Sequence, residues 1–113
     1  MKGIRGICIS TKDYTIKEVW IKDYKDYYKY LECDTFDAIT NAVGDISAFI
    51  DDEGLLKSGN PVVDISPLAF PQPYAGNIVL VGGVDNEGET LPLPDYVTIE
   101  MVHEFAKIVR EIR

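Results

Sequence analysis

A chain of 113 residues, 46% hydrophobic and 27% charged, has the make-up of one globular domain that buries about two-thirds of its unfolded surface. Its net charge of −8 at pH 7 argues against duplex nucleic acid as a partner, because phosphate neutralisation needs a basic surface. No apolar run approaches the ~20 residues that cross a bilayer, and the N-terminus lacks the pattern of a secretory signal, so a cytoplasmic protein is expected.

In chain order, Ile4–Ser10 is short and β-branched and reads as a strand. Thr15–Ile21 is a second strand with its alternation broken near Val19-Trp20, and Lys12-Asp13 between them supplies a hairpin turn. Asp23 is a candidate N-cap for a helix over Tyr24–Glu32, in which Tyr24, Tyr27, Tyr28 and Leu31 share one face. That leaves Tyr30 as the surplus tyrosine, available to stack on a base or to form an interface. Phe36–Val43 fits either a strand or a short helix, since periodicity alone does not separate the two.

Ile46–Ile50 reads as a strand that runs into "DDEG" at Asp51–Gly54, with Leu55-Leu56 resuming the pairing beyond. Pro61, Pro67, Pro71 and Pro73 break the next stretch, so 62–76 is expected to be a long proline-rich loop. Asn77–Val84 is the most apolar strand and belongs at the sheet centre. It enters a second acidic turn, "DNEG" at Asp85–Gly88. Thr98 then caps a final helix whose stripe runs Ile99, Val102, Ala106, Val109, Ile112. The expected fold is α+β: one domain over 1–113, a mainly antiparallel sheet of about five to six strands, and two helices packed on one face.

The two acidic stretches are not EF-hand loops. Five residues before Gly54 and Gly88 stand Phe49 and Gly83, neither of which supplies a side-chain oxygen. Asp at the first position of a type I turn with Gly at the fourth is hairpin chemistry instead.

Charge is unevenly spread. Residues 1–29 carry seven Lys/Arg against four Asp/Glu, a net of +3, and residues 30–97 carry one Lys against twelve Asp/Glu, a net of −11. The single histidine, His103, lies off the apolar stripe and reads as a surface residue. Cys8 and Cys33 are too few for a disulfide framework and are expected as thiols. No nucleophile constellation or phosphate-binding glycine motif is present. The chain is therefore expected to be no enzyme, with no metal site and no cofactor.

Two segments draw attention as a binding site. "LLKSGNP" at Leu55–Pro61 sets Lys57, Ser58 and Asn60 in one loop where backbone N–H groups can hold an anion. "DISPLAFPQPYAG" at Asp64–Gly76 presents Phe70 and Tyr74 on a proline-stiffened segment. Lys57, Ser58, Asn60, Phe70 and Tyr74 are the expected ligand-binding residues.

The order "CDTFDA", "GDISAFIDDEGLLKSGNP" and "GNIVLVGGVDNEGE" over roughly Leu31–Glu89 resembles the small phage and bacterial proteins grouped as domain of unknown function 3846. The resemblance implies a virus or mobile-element setting and carries no catalytic residues. Together these readings suggest a non-enzymatic phage protein with a counter-defence role, which sequesters a small anionic, nucleotide-type ligand in a homo-oligomer. The alternative is an acidic inhibitor that occupies the basic nucleic-acid-binding surface of a host protein.

Overall fold

The structure is a computed structural model and describes residues 3–10, 15–32, 36–43, 46–51, 62–64, 74–75, 77–105 and 107–109. The elements, in chain order, are β1 (Ile4–Ser10), β2 (Thr15–Ile21), α1 (Lys25–Leu31), β3 (Phe36–Val43), β4 (Ile46–Asp51), β5 (Val62–Asp64), β6 (Tyr74–Ala75), β7 (Ile78–Gly82), α2 (Ile99–Phe105) and β8 (Lys107–Val109). Five strands form one sheet in the order β2-β1-β7-β4-β3, and β6-β5-β8 form a smaller one. Every neighbouring pair is antiparallel, and the fold class is α+β. The ambiguous segment Phe36–Val43 is a strand, paired with β4.

β7 lies at the centre of the large sheet, as its apolar run suggests, and each of its five residues is buried. Successive side chains of a strand point to opposite faces, so this burial means that both faces are covered. On one face Ile7, Ile9, Ile46, Ala48, Ile78 and Leu80 pack with Leu93, Val97 and Val102 of the C-terminal segment and α2. On the other, Cys8, Val79, Val81 and Phe49 pack with Val19, Ile21 and the α1 residues Tyr27 and Leu31.

The two helices therefore sit on opposite faces, not on one as expected. The reason is in β7 itself: Ile78 and Leu80 need cover on one side while Val79 and Val81 need it on the other. One helix layer would leave either pair against water, at a cost of about 1.5–3 kcal/mol per side chain.

The α1 start is fixed by two carboxylates. Asp23 Oδ1 accepts the Lys25 N–H at 2.8 Å, and Asp26 Oδ2 reaches back to accept the N–H groups of Lys22 at 2.6 Å and Asp23 at 3.4 Å. Lys25 is the first helical residue and Tyr24 holds the cap position, so the Asp23 bond acts one residue earlier than expected. Tyr27 and Leu31 are buried, but Tyr24 is 61% exposed. The surplus tyrosine is Tyr24, while Tyr30 is half-buried against the core.

At α2, Thr98 caps as expected: its Oγ1 accepts the Met101 N–H at 3.1 Å. The helix does not continue down the apolar stripe. It ends at Phe105, and Lys107–Val109 pairs with β5. Ile108 and Val109 are β-branched, which disfavours helix and favours a strand wherever a ladder partner exists. Val62–Asp64 supplies that ladder. Of the stretch 62–76 the described residues are β5 and β6, which pair with each other; residues 65–73 and 76 lie outside the described residues.

The second acidic turn is a hairpin turn. The Gly88 N–H donates to Asp85 O at 3.1 Å and the Asp85 N–H to Glu89 O at 3.0 Å, while Asp85 Oδ1 accepts from the N–H groups of Glu87 and Glu89. Gly88 has φ +82°, the left-handed position that glycine fills without strain. Of the first acidic turn only Asp51, the last residue of β4, is described; Asp52–Gly54 and the Leu55-Leu56 continuation lie outside the described residues.

Candidate functional site

Of the expected ligand-binding residues, Lys57, Ser58, Asn60 and Phe70 lie outside the described residues, and Tyr74 is placed by its backbone in β6, opposite Val63. The described residues bring together a different set. A groove of about 470 Å³ is lined by Trp20, Lys22, Asp26, Lys29 and Tyr30.

Local structure explains the grouping. β2 is an edge strand, paired on one side with β1. Within it Val19 and Ile21 are buried and Trp20 between them is 40% exposed, while Lys17 and Glu18 are both exposed, so the alternation does break, just before Val19. Lys22 follows directly, and Asp26 ties its N–H into the start of α1. The helix then presents Lys29 and Tyr30 three and four residues beyond Asp26, which is one turn along the same side. The Tyr30 carbonyl oxygen accepts a hydrogen bond from Asn77 Nδ2 at 3.0 Å, which ties the C-terminal half of α1 to the start of the central strand.

The electrostatics are mixed. Two ammonium groups and one carboxylate face the same space, and Lys29 Nζ stands 5.3 Å from the centroid of the Tyr30 ring, within cation–π range. Beside the groove, Tyr27 stacks on Phe49 with ring centroids 4.0 Å apart. Its phenol is pushed up to about 12 by burial first and by the neighbouring Asp26 charge second, against a hydrogen bond with Thr90 that lowers it. Such a group stays neutral at physiological pH and is structural.

An open groove with lysines and aromatics is suited to holding a planar anion. Catalysis would call for a desolvated acid–base pair, and Asp26 has its carboxylate committed to the helix start. His103 is exposed on α2, and Cys8 is a buried thiol whose Sγ lies 3.9 Å from the Tyr30 carbonyl oxygen. Among the described residues no three His, Cys, Asp or Glu side chains come together as metal ligands, and no helix is long and apolar enough to cross a membrane.

Sequence reasoning passed over Trp20, Lys22, Asp26 and Lys29 because it looked to loops. The available signals were the net of +3 over residues 1–29 and a tryptophan at an outward position of a strand.

Comparison with curated proteins gives no match, and comparison with solved structures gives none either. A family model does match, over residues 4–106, a span that takes in both helices and the whole of the large sheet. The chain belongs to the family described as domain of unknown function (DUF3846).

Proposed function

We propose that this protein is a non-enzymatic binding protein that takes up a small anionic ligand of nucleotide type in the groove between β2 and α1. The observation that supports the reading is the convergence of two lysines and two aromatic residues on one groove of ligand size. Aromatic faces bind nucleobases with little regard to sequence, and ammonium groups at the rim supply attraction for phosphate. In a phage setting such uptake amounts to sequestration, removing a signalling nucleotide from the host's defence. A homo-oligomer is the expected form.

Native mass spectrometry of the purified protein mixed with a nucleotide library tests this. Retention of a nucleotide, reduced in a Lys22→Gln/Lys29→Gln double variant, is the expected result. A protein that retains no nucleotide overturns it. The second reading, an acidic inhibitor of a host protein, draws on Asp85, Glu87 and Glu89, all exposed on the β7-side hairpin. Capture of a basic host protein, weakening as salt rises, is the result that would favour it.

A further inference from the structure

We propose that the groove selects ribonucleotides, with Lys22 and Lys29 on the phosphate and the Asp26 carboxylate accepting a ribose hydroxyl. The inference rests on the nucleotide-binding reading above and names the part of the ligand that the site tells apart.

A carboxylate in an anion site is the observation to explain. Lys22, Asp26 and Lys29 line the same groove, and among the described residues neither ammonium forms an ion pair with Asp26. A phosphate drawn in by the lysines therefore meets a negative charge as well, and like charges brought together oppose binding. The opposition turns to attraction where the ligand sets a hydrogen-bond donor against the carboxylate.

Asp26 is held in a fixed pose. Its Oδ2 accepts the N–H groups of Lys22 and Asp23 at the start of α1, which anchors the carboxylate and leaves Oδ1 to accept from a ligand. Lys29 stands three residues on, one helical turn along the same side. Asp26 thus lies between the two lysines, so a donor that meets it lies close to the phosphate. In a nucleotide the sugar is joined directly to the phosphate and the base is one unit further out. The ribose hydroxyls are the donors nearest the phosphate, and carboxylates recognise them in this way in dinucleotide-binding folds.

Asp26→Asn isolates the acceptor. The Lys22 and Asp23 N–H groups need an oxygen, so the single amide oxygen of asparagine takes the Oδ2 place, and its NH2, a donor, takes that of Oδ1. The helix start keeps its bonds and the acceptor offered to the ligand is lost.

Isothermal titration at fixed ionic strength compares the four ribonucleoside monophosphates with their 2′,3′-dideoxy counterparts, which keep the base and the phosphate but neither hydroxyl. At least one ribonucleotide is expected to bind the unaltered protein about tenfold or more tightly than its counterpart, as the loss of one hydrogen bond to a charged group requires. In Asp26→Asn, with folding confirmed by circular dichroism, that ratio should fall at least about threefold, because a neutral bond replaces a charged one and the dideoxy ligand no longer meets a like charge.

Equal affinity of each pair for the unaltered protein overturns the proposal, as does a ratio that Asp26→Asn leaves unchanged, and either result leaves the binding reading standing. Binding of none of the eight ligands also overturns it. If native mass spectrometry shows no retained nucleotide either, the binding reading falls with it.

Discussion

Arg5 Nη2 donates to the carbonyl oxygen of Val97 at 2.7 Å, joining positions 92 residues apart. The same guanidinium donates from Nη1 to the carbonyl oxygens of Pro94 at 3.0 Å and Leu93 at 3.4 Å, and from Nε to Glu18 at 2.6 Å. The Arg5 carbonyl oxygen in turn accepts the Leu93 N–H at 2.9 Å. One side chain of β1 thus fastens the segment that delivers Leu93, Val97 and α2 onto the sheet. Arg5→Ala is expected to destabilise by about 2–4 kcal/mol, because three part-buried carbonyls lose a charged donor. Arg5→Lys should recover a minority of that, since an ammonium cannot span the same fork. Glu18→Ala should cost under about 1 kcal/mol, its carboxylate being 42% exposed. Urea unfolding of the three variants checks the order.

Gly82, ahead of the 85–88 turn, and Gly88, its last residue, should respond to the same change to different degrees. A Cβ on Gly82 would stand 2.6 Å from the Leu91 carbonyl oxygen, with the Pro92 carbonyl oxygen closer still. Both are backbone atoms of the segment that Gly82 itself binds through its N–H. Gly82→Ala must push that segment off β7, and should cost about 3 kcal/mol or more. Gly88 has open space around it and a left-handed φ, so Gly88→Ala carries only the conformational strain, about 1–2 kcal/mol. Thermal unfolding should place the first variant well below the second.

That contrast also shows where the fold was legible. The Asp85–Gly88 turn and the Thr98 cap follow from short-range hydrogen bonding, and the sequence carries both partners of each bond. The central place of β7 follows from its unbroken apolar run. The position of the helices did not follow, although Ile78–Gly82 held the clue: a strand without alternation needs cover twice. The end of α2 at Phe105 depends on Val62–Asp64, over forty residues away, and the 3.6-residue stripe says nothing about that partner. The groove was hidden for a different reason. Its residues are local, but they come from a strand whose alternation breaks and from the exposed side of a helix, and neither pattern by itself points to a shared groove.

Alkaline titration should single out Tyr27. Its phenol is raised from 10.0 to about 12, by burial foremost and then by Asp26. The folded state therefore holds this proton more tightly than the unfolded chain. Its contribution to stability is fully present below about pH 10 and is lost as pH rises from 10 through 12. Tyrosinate absorbance should show one phenol ionising later than the exposed tyrosines, coincident with loss of structure. Tyr27→Phe keeps the stack on Phe49 and should remove this portion of the alkaline sensitivity. It gives up the Thr90 hydrogen bond, at about 1 kcal/mol at neutral pH. If Tyr27 titrates together with the other tyrosines, its burial is wrong.

The lysines of the groove separate stability from binding. Lys22 and Lys29 are exposed, and among the described residues Lys29 makes a cation–π contact worth about 0.5–1 kcal/mol at such a site. Lys22→Gln/Lys29→Gln should therefore unfold within about 1 kcal/mol of the unaltered protein. Its affinity for a nucleoside monophosphate should fall at least about tenfold, since both ammonium groups proposed to hold the phosphate are gone. The salt dependence should flatten as well. Binding to the unaltered protein should weaken between 50 and 300 mM salt, through screening of the exposed lysines, while residual binding to the double variant rests on stacking and should change little. Isothermal titration at several salt concentrations measures both. Equal salt slopes in the two proteins would place the anion somewhere other than beside Lys22 and Lys29.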